Sequence, residues 1–351
     1  LLASPSRQML IRALTLTREQ AVGDGTLESW RAQAEGADLY GGIEGSALKR
    51  MGMPLDSISG AVRFEPGHVS ARLAVVPDAE WRERLKPFFS RGQNASLKEP
   101  PEGCAAISLN LGEPPLKFLQ TIRELVPQAA MIPEWLTADT PEMPEDPSEA
   151  FFRRFARMLL SETGTSFWLA WLGMDVNEMI PLPIVAGLAD QGAEALARMA
   201  EEVPGIKSEV SEDPPMIEWT PRAADDGAVY IRLLAGPTLS LCAVPAGDKS
   251  IAFGGSLTAA RVLAGKEKSS PASSAGNGIL MVRVNPGSCL EAVSAAAREL
   301  AAFGWLKDMP PERLDQTLSV WHAQVGSLRE IRFAVATDRE DTWQVTGDIS
   351  W

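Results

Sequence analysis

The most explicit chemical spacing in the chain is Ser46-Ala47-Leu48-Lys49, an S-x-x-K pattern. A lysine one helical turn beyond a serine can take its proton and make it a nucleophile. The S-D-N and K-T-G elements that accompany this pair in its enzyme class are missing. Two residues also satisfy the pattern easily by chance. A later stretch, Gly287-Ser288-Cys289-Leu290, echoes Gly45-Ser46-Ala47-Leu48 and carries Glu291 where the first has Lys49. Serine followed three residues later by glutamate is a helix-capping signature, so capping is the simpler role for this position.

His68 and His322 are the only histidines, and neither has a second ligand at metal-binding spacing. Gly254-Gly255-Ser256 could hold an anion on backbone amides at a helix start. Glu142, Glu145, Asp146 and Glu149, like Asp225-Asp226, could meet calcium but lack the loop spacing of a dedicated site. Cys104, Cys242 and Cys289 share no metal-like spacing, and three cysteines exclude a disulfide scaffold. No G-x-S-x-G, G-x-G-x-x-G or G-x-x-x-x-G-K-[ST] motif is present. The sequence therefore assigns no catalytic, cofactor or metal residue.

Ten tryptophans are many for this length. Trp168, Trp171, Trp343 and Trp351 fall at strand positions suited to a core. Trp30, Trp135, Trp219 and Trp305 lie in less regular stretches and are the candidate contact surface, since exposed aromatics often mark recognition.

The elements that position these residues follow one order: strand, helix, helix, hairpin. It is clearest in Asn277–Trp351, with a strand at Gly278–Asn285 and a helix from Ser288 ending at Gly304. A second helix opens at Pro310-Pro311, with Leu314, Leu318, Trp321 and Val325 on one face. Ile331 to Ala336 and Trp343 to Trp351 alternate as a hairpin. Looser versions occupy Ala37–Val76 and Cys104–Ala189, the latter with a helix capped by Asp146 and opened by Pro147. Helices opening on Asp78 and Asp190 follow two of the hairpins. A strand-rich insert covers Ala228–Leu234, Leu239–Val244 and Ser250–Phe253, and Lys266–Asn277 reads as a flexible linker. The expected fold is α+β, with mostly antiparallel curved sheets, helices packed on one face, and degenerate strand–helix–helix–hairpin repeats. The expected regions are 1–100, a truncated first repeat; 101–275, a middle repeat with its insert; and 276–351, the last repeat. Leu1-Leu2-Ala3 reads as the end of a strand and Ser4-Pro5 as a helix start, so upstream sequence is expected.

With 351 residues the chain can bury roughly three-quarters of its surface. Its 33 Lys and Arg against 46 Asp and Glu give a net charge of −13. Without a basic stripe, such a surface argues against nucleic-acid binding. No run of apolar residues is long enough for a membrane span.

Ile184-Val185-Ala186-Gly187-Leu188 with its Asp190-started helix, and Ile251-Ala252-Phe253-Gly254-Gly255-Ser256 leading into another, resemble a bacterial family. Its members are uncharacterised exported proteins carrying a domain of unknown function. The resemblance implies a place in the cell envelope, periplasmic or at the cell surface, and transfers no functional residue. The expected function is non-enzymatic binding or scaffolding of an unknown protein. One alternative is a carrier of a lipid or other apolar ligand, compatible with the Met- and Leu-rich helix Phe151–Leu160. The other is a serine hydrolase using Ser46 and Lys49.

Overall fold

A computed structural model describes residues 36–50, 53–89, 100–126, 132–139, 142–176, 181–206, 220–232, 240–269, 279–306, 309–337 and 342–351. The readings at Leu1–Pro5, Trp30 and Trp219 lie outside these residues.

Three stretches run strand, helix, antiparallel hairpin. In the first, β1 (Leu39–Glu44) leads through α1 (Gly45–Arg50) to β2 (Leu55–Glu65) and β3 (His68–Pro77), which turn at Gly67. After α2 (Ala79–Phe89), the second stretch has β4 (Ala105–Asn110) and the helices α3 (Pro115–Leu125), α4 (Glu134–Thr137) and α5 (Pro147–Ser161). It closes with the hairpin β5 (Ser166–Asp175) and β6 (Leu182–Gly192). Then come α6 (Ala193–Glu202), a 3-10 turn at Val203–Gly205, and a meander of β7 (Pro221–Ala223), β8 (Val229–Arg232), β9 (Ser240–Pro245) and β10 (Ser250–Gly254). The helix α7 (Leu257–Ser269) precedes the third stretch. That comprises β11 (Leu280–Val284), α8 (Pro286–Ala302), α9 (Pro311–Val325) and the hairpin β12 (Glu330–Thr337) and β13 (Trp343–Ser350).

All thirteen strands join one antiparallel sheet in the order β1-β2-β3-β13-β12-β11-β4-β5-β6-β10-β9-β8-β7. The last stretch sits between the other two. Its closing strand β13 pairs with the closing strand β3, and its opening strand β11 with the opening strand β4. No helix among the described residues is long and apolar enough to cross a membrane.

The α+β composition and antiparallel pairing agree with the sequence reading; the helix placement does not. Helices cover both faces of the β5–β9 end. Phe151 and Phe155 of α5 and Leu196 of α6 pack with Ala189, Ala243 and Ile251. Their strand neighbours Leu188, Cys242, Val244 and Ala252 pack instead with Ala260 and Leu263 of α7. Adjacent strand residues point to opposite faces, so a run apolar at both parities needs two helical layers.

Local signals held where a side chain could reach the helix amides. Asp146 Oδ1 accepts Glu149 N at 2.7 Å, and Asp78 Oδ1 accepts Trp81 N at 3.0 Å. Gly304, at φ 73°, ends α8 with Trp305 N on Leu300 O and Gly304 N on Ala301 O, as the glycine predicted. Other boundaries moved. The cap of α8 is Asn285, which accepts Ser288 N at 3.0 Å with Pro286 in the first turn, and not Ser288. Asp190 caps nothing: β6 runs through it to Gly192, whose φ of 119° turns the chain into α6. The helix α7 continues to Ser269, into the stretch read as linker. Trp351 is exposed rather than in the core, and Trp321 is exposed although Leu314 and Leu318 of the same helix face are buried.

Candidate functional site

At the β1 end the two faces of the sheet differ sharply. Following the pairing register from strand to strand gives one row of Leu39, Val62, Ala71, Gly347, Phe333, Val282, Ile107 and Leu169. Two residues along, the next row on the same face holds Gly41, Gly60, Leu73, Val345, Val335, Leu280, Leu109 and Phe167. On the other side, Phe64, Val69, Ile349, Ile331, Val284 and Ala105 line up. Every side chain in these rows is apolar. The opposite face carries Arg63, Ser70, Asp348, Arg332 and Arg283 in one row, and Tyr40, Ala61, Arg72, Thr346, Ala334 and Met281 in the next.

Such alternation normally seats a helix on the apolar face. Here the cover is partial. Phe89 of α2 meets Trp343 at 5.2 Å, and Phe88 meets Phe118 of α3 at 5.4 Å, closing the corner at Leu109 and Trp343. Beyond it, Leu39 (46%), Phe64 (55%) and Phe333 (39%) stay exposed, as do Ile43, Leu73, Ile107 and Ile349. These seven large residues come from six strands and share one face. This surface is the candidate site. The sequence places Phe333 in a half-buried strand and its candidate contacts among tryptophans; the signal for this face is the period-two alternation of the last hairpin.

The tryptophans fare differently. Trp135 in α4 packs on Phe152 at 6.1 Å, with the Arg153 guanidinium 5.6 Å from its ring. Trp305 is exposed just past the end of α8.

Several of the chemical candidates have structural partners, while Ser46 is exposed. Lys49 Nζ lies 3.2 Å from Asp56 Oδ1, while Leu48 anchors α1 in the interior. His68 Nε2 is 3.2 Å from Asp348, and His322 faces Ser294 Oγ at 3.5 Å. At the glycine pair, Gly255 N donates to Val185 O and Ser256 Oγ accepts Ala259 N, so these amides are already engaged. Glu149 holds Arg153 at 2.6 Å, and Asp226 holds Arg261 at 2.8 Å, which pulls its pKa down. Among the described residues no three His, Cys, Asp or Glu groups converge as metal ligands.

One open cleft of about 770 Å³ lies between α2, α3 and α4. Its charges neutralise one another: Arg84 with Glu124 at 2.7 Å, Lys117 with Glu113 at 2.8 Å, Arg123 with Glu134 at 3.8 Å.

Asp190 is the perturbed carboxyl. Burial raises its pKa to about 6 against the opposing pull of backbone amide hydrogen bonds, and its Oδ1 has no partner among the described residues. Gly164, at φ 81°, leaves it room, because a Cβ there would run into Oδ1. Among the described residues no second ionisable group contributes to its shift in the way acid–base pairs require.

Compared with protein-family models, curated proteins and solved structures, the chain matches none.

Proposed function

We propose that this chain is a non-catalytic binding or scaffolding protein of the bacterial cell envelope, and that it docks another polypeptide on the apolar face of β1, β2, β3, β13, β12, β11 and β4. The observation that carries this is the gathering of seven exposed large apolar residues, Leu39 to Ile349, on one face of one end of the sheet. Exposed apolar residues scattered singly need no explanation, whereas a contiguous patch marks an interaction site. The occupant is a polypeptide with an apolar centre and a basic rim, because the chain carries a net charge of −13. In this reading the three strand–helix–hairpin stretches are degenerate repeats whose like strands meet, which is how one continuous face arises. Carriage of a lipid has less support, since the described cleft is open and lined by paired charges.

Site-specific photo-crosslinking in an envelope extract tests this. A crosslinker at Phe333 should give a discrete adduct that weakens at high salt, and one at Thr346 on the opposite face should give none. Equal labelling from both positions, or none from Phe333, would overturn the assignment.

A further inference from the structure

Cys104 and Cys289 lie 185 positions apart in sequence, yet each thiol reaches the other residue's stretch of backbone where the start of β4 abuts the first turn of α8. The Cys289 thiol donates to Cys104 O at 3.1 Å, and the Cys104 thiol donates to Ser288 O at 3.3 Å. Backbone bonds lock the junction: Asn285 N reaches Cys104 O at 2.8 Å, and Cys289 N reaches Asn285 O at 3.0 Å. Cys104 is 1% exposed while Cys289 is partly exposed. The third cysteine, Cys242, is fully buried against Gly254 O in the core beneath α7.

We propose that Cys104 and Cys289 are a disulfide-forming pair, a covalent staple between the opening strand of the second stretch and the first helix of the third. The oxidant is a low-molecular-weight disulfide or an oxidised dithiol protein. The Cys289 thiolate attacks a sulfur of that disulfide, forms a mixed disulfide and releases one thiolate. The Cys104 thiolate then attacks Cys289 Sγ and releases the second. The two cysteines lose two protons and two electrons, and the oxidant is reduced to two thiols.

The thiols are not tuned for catalysis. Burial first, and then the neighbouring Cys289, push Cys104 up to about 11, and burial raises Cys289 as well. Nucleophilic or metal-binding cysteines are shifted the other way. A pair held as thiols in the fold exchanges slowly and suits a structural bond made as the junction forms.

The test refolds the full chain from denaturant in a mixture of reduced and oxidised glutathione, where access does not limit exchange. Alkylation under denaturing conditions, peptide mapping and intact mass then read the pairing. The expected product has lost two hydrogens, carries one alkylated cysteine at Cys242, and melts about 4 °C above the reduced chain. Cys289→Ser should abolish both the linked peptide and the gain in melting temperature. Alkylation of all three cysteines, a link involving Cys242, or a link between chains would overturn the proposal.

Discussion

Leu39 on the outermost strand and Ile107 on β4 stand in one cross-sheet row, six strand steps apart. At the usual strand spacing that is about 29 Å. Both are exposed, and every side chain in the row between them is apolar. The sheet thus continues its apolar face well past the helices that cover it near Trp343 and Phe167.

Because that face is partly solvated, thinning it should cost little stability while changing surface chemistry. Phe333→Ser and Ile349→Ser should each destabilise by about 1 kcal/mol, half the value of a fully buried side chain. Together they should clearly lower the fluorescence of a bound hydrophobic dye. Unchanged dye fluorescence would mean that this face is not the accessible apolar surface.

Asp190 makes stability depend on pH. Its folded pKa of about 6 lies above the unfolded value of 3.8, so the folded state binds the proton more tightly. Stability is therefore greatest below about pH 4 for this group and falls as pH rises through 6. Asp190→Asn should remove that fall and raise stability at pH 8 by on the order of 1 kcal/mol, after discounting for partial exposure. Denaturant melts of both proteins at pH 5 and pH 8 check this, and equal pH slopes would refute it.

Arg157 holds α4 in place. Its Nη1 donates to the carbonyls of Trp135, Leu136 and Ala138 at 3.2, 2.8 and 2.8 Å, while Gln120 donates to Thr137 O at 2.7 Å. Helix-end carbonyls need such donors. Arg157→Ala should cost about 1–3 kcal/mol and make residues 132–139 the first site of limited proteolysis. A cleavage pattern identical to that of the unaltered protein would contradict this.

Short-range signals fix the local elements of this chain. Pro147 behind Asp146, Gly304 after a periodic helix, and the alternation from Ile331 to Ile349 are short-range signals, and they act within a turn or a hairpin wherever the segment lies. The sequence misleads about boundaries where the competing choice depends on distant neighbours. Asp190 looks like a cap, but pairing of Gly192 with Ser250 of β10 extends β6 past it. Three features depend on long-range packing. The order of strands put β13 between β3 and β12, because nothing local in a strand names its non-sequential partner. Packing set both helical layers over β5 to β9, since a both-faced apolar strand does not say which helix covers which side. It also left one end of an apolar face uncovered and brought Cys104 to Cys289. Both depend on contacts between residues far apart in the chain, which no spacing along it encodes.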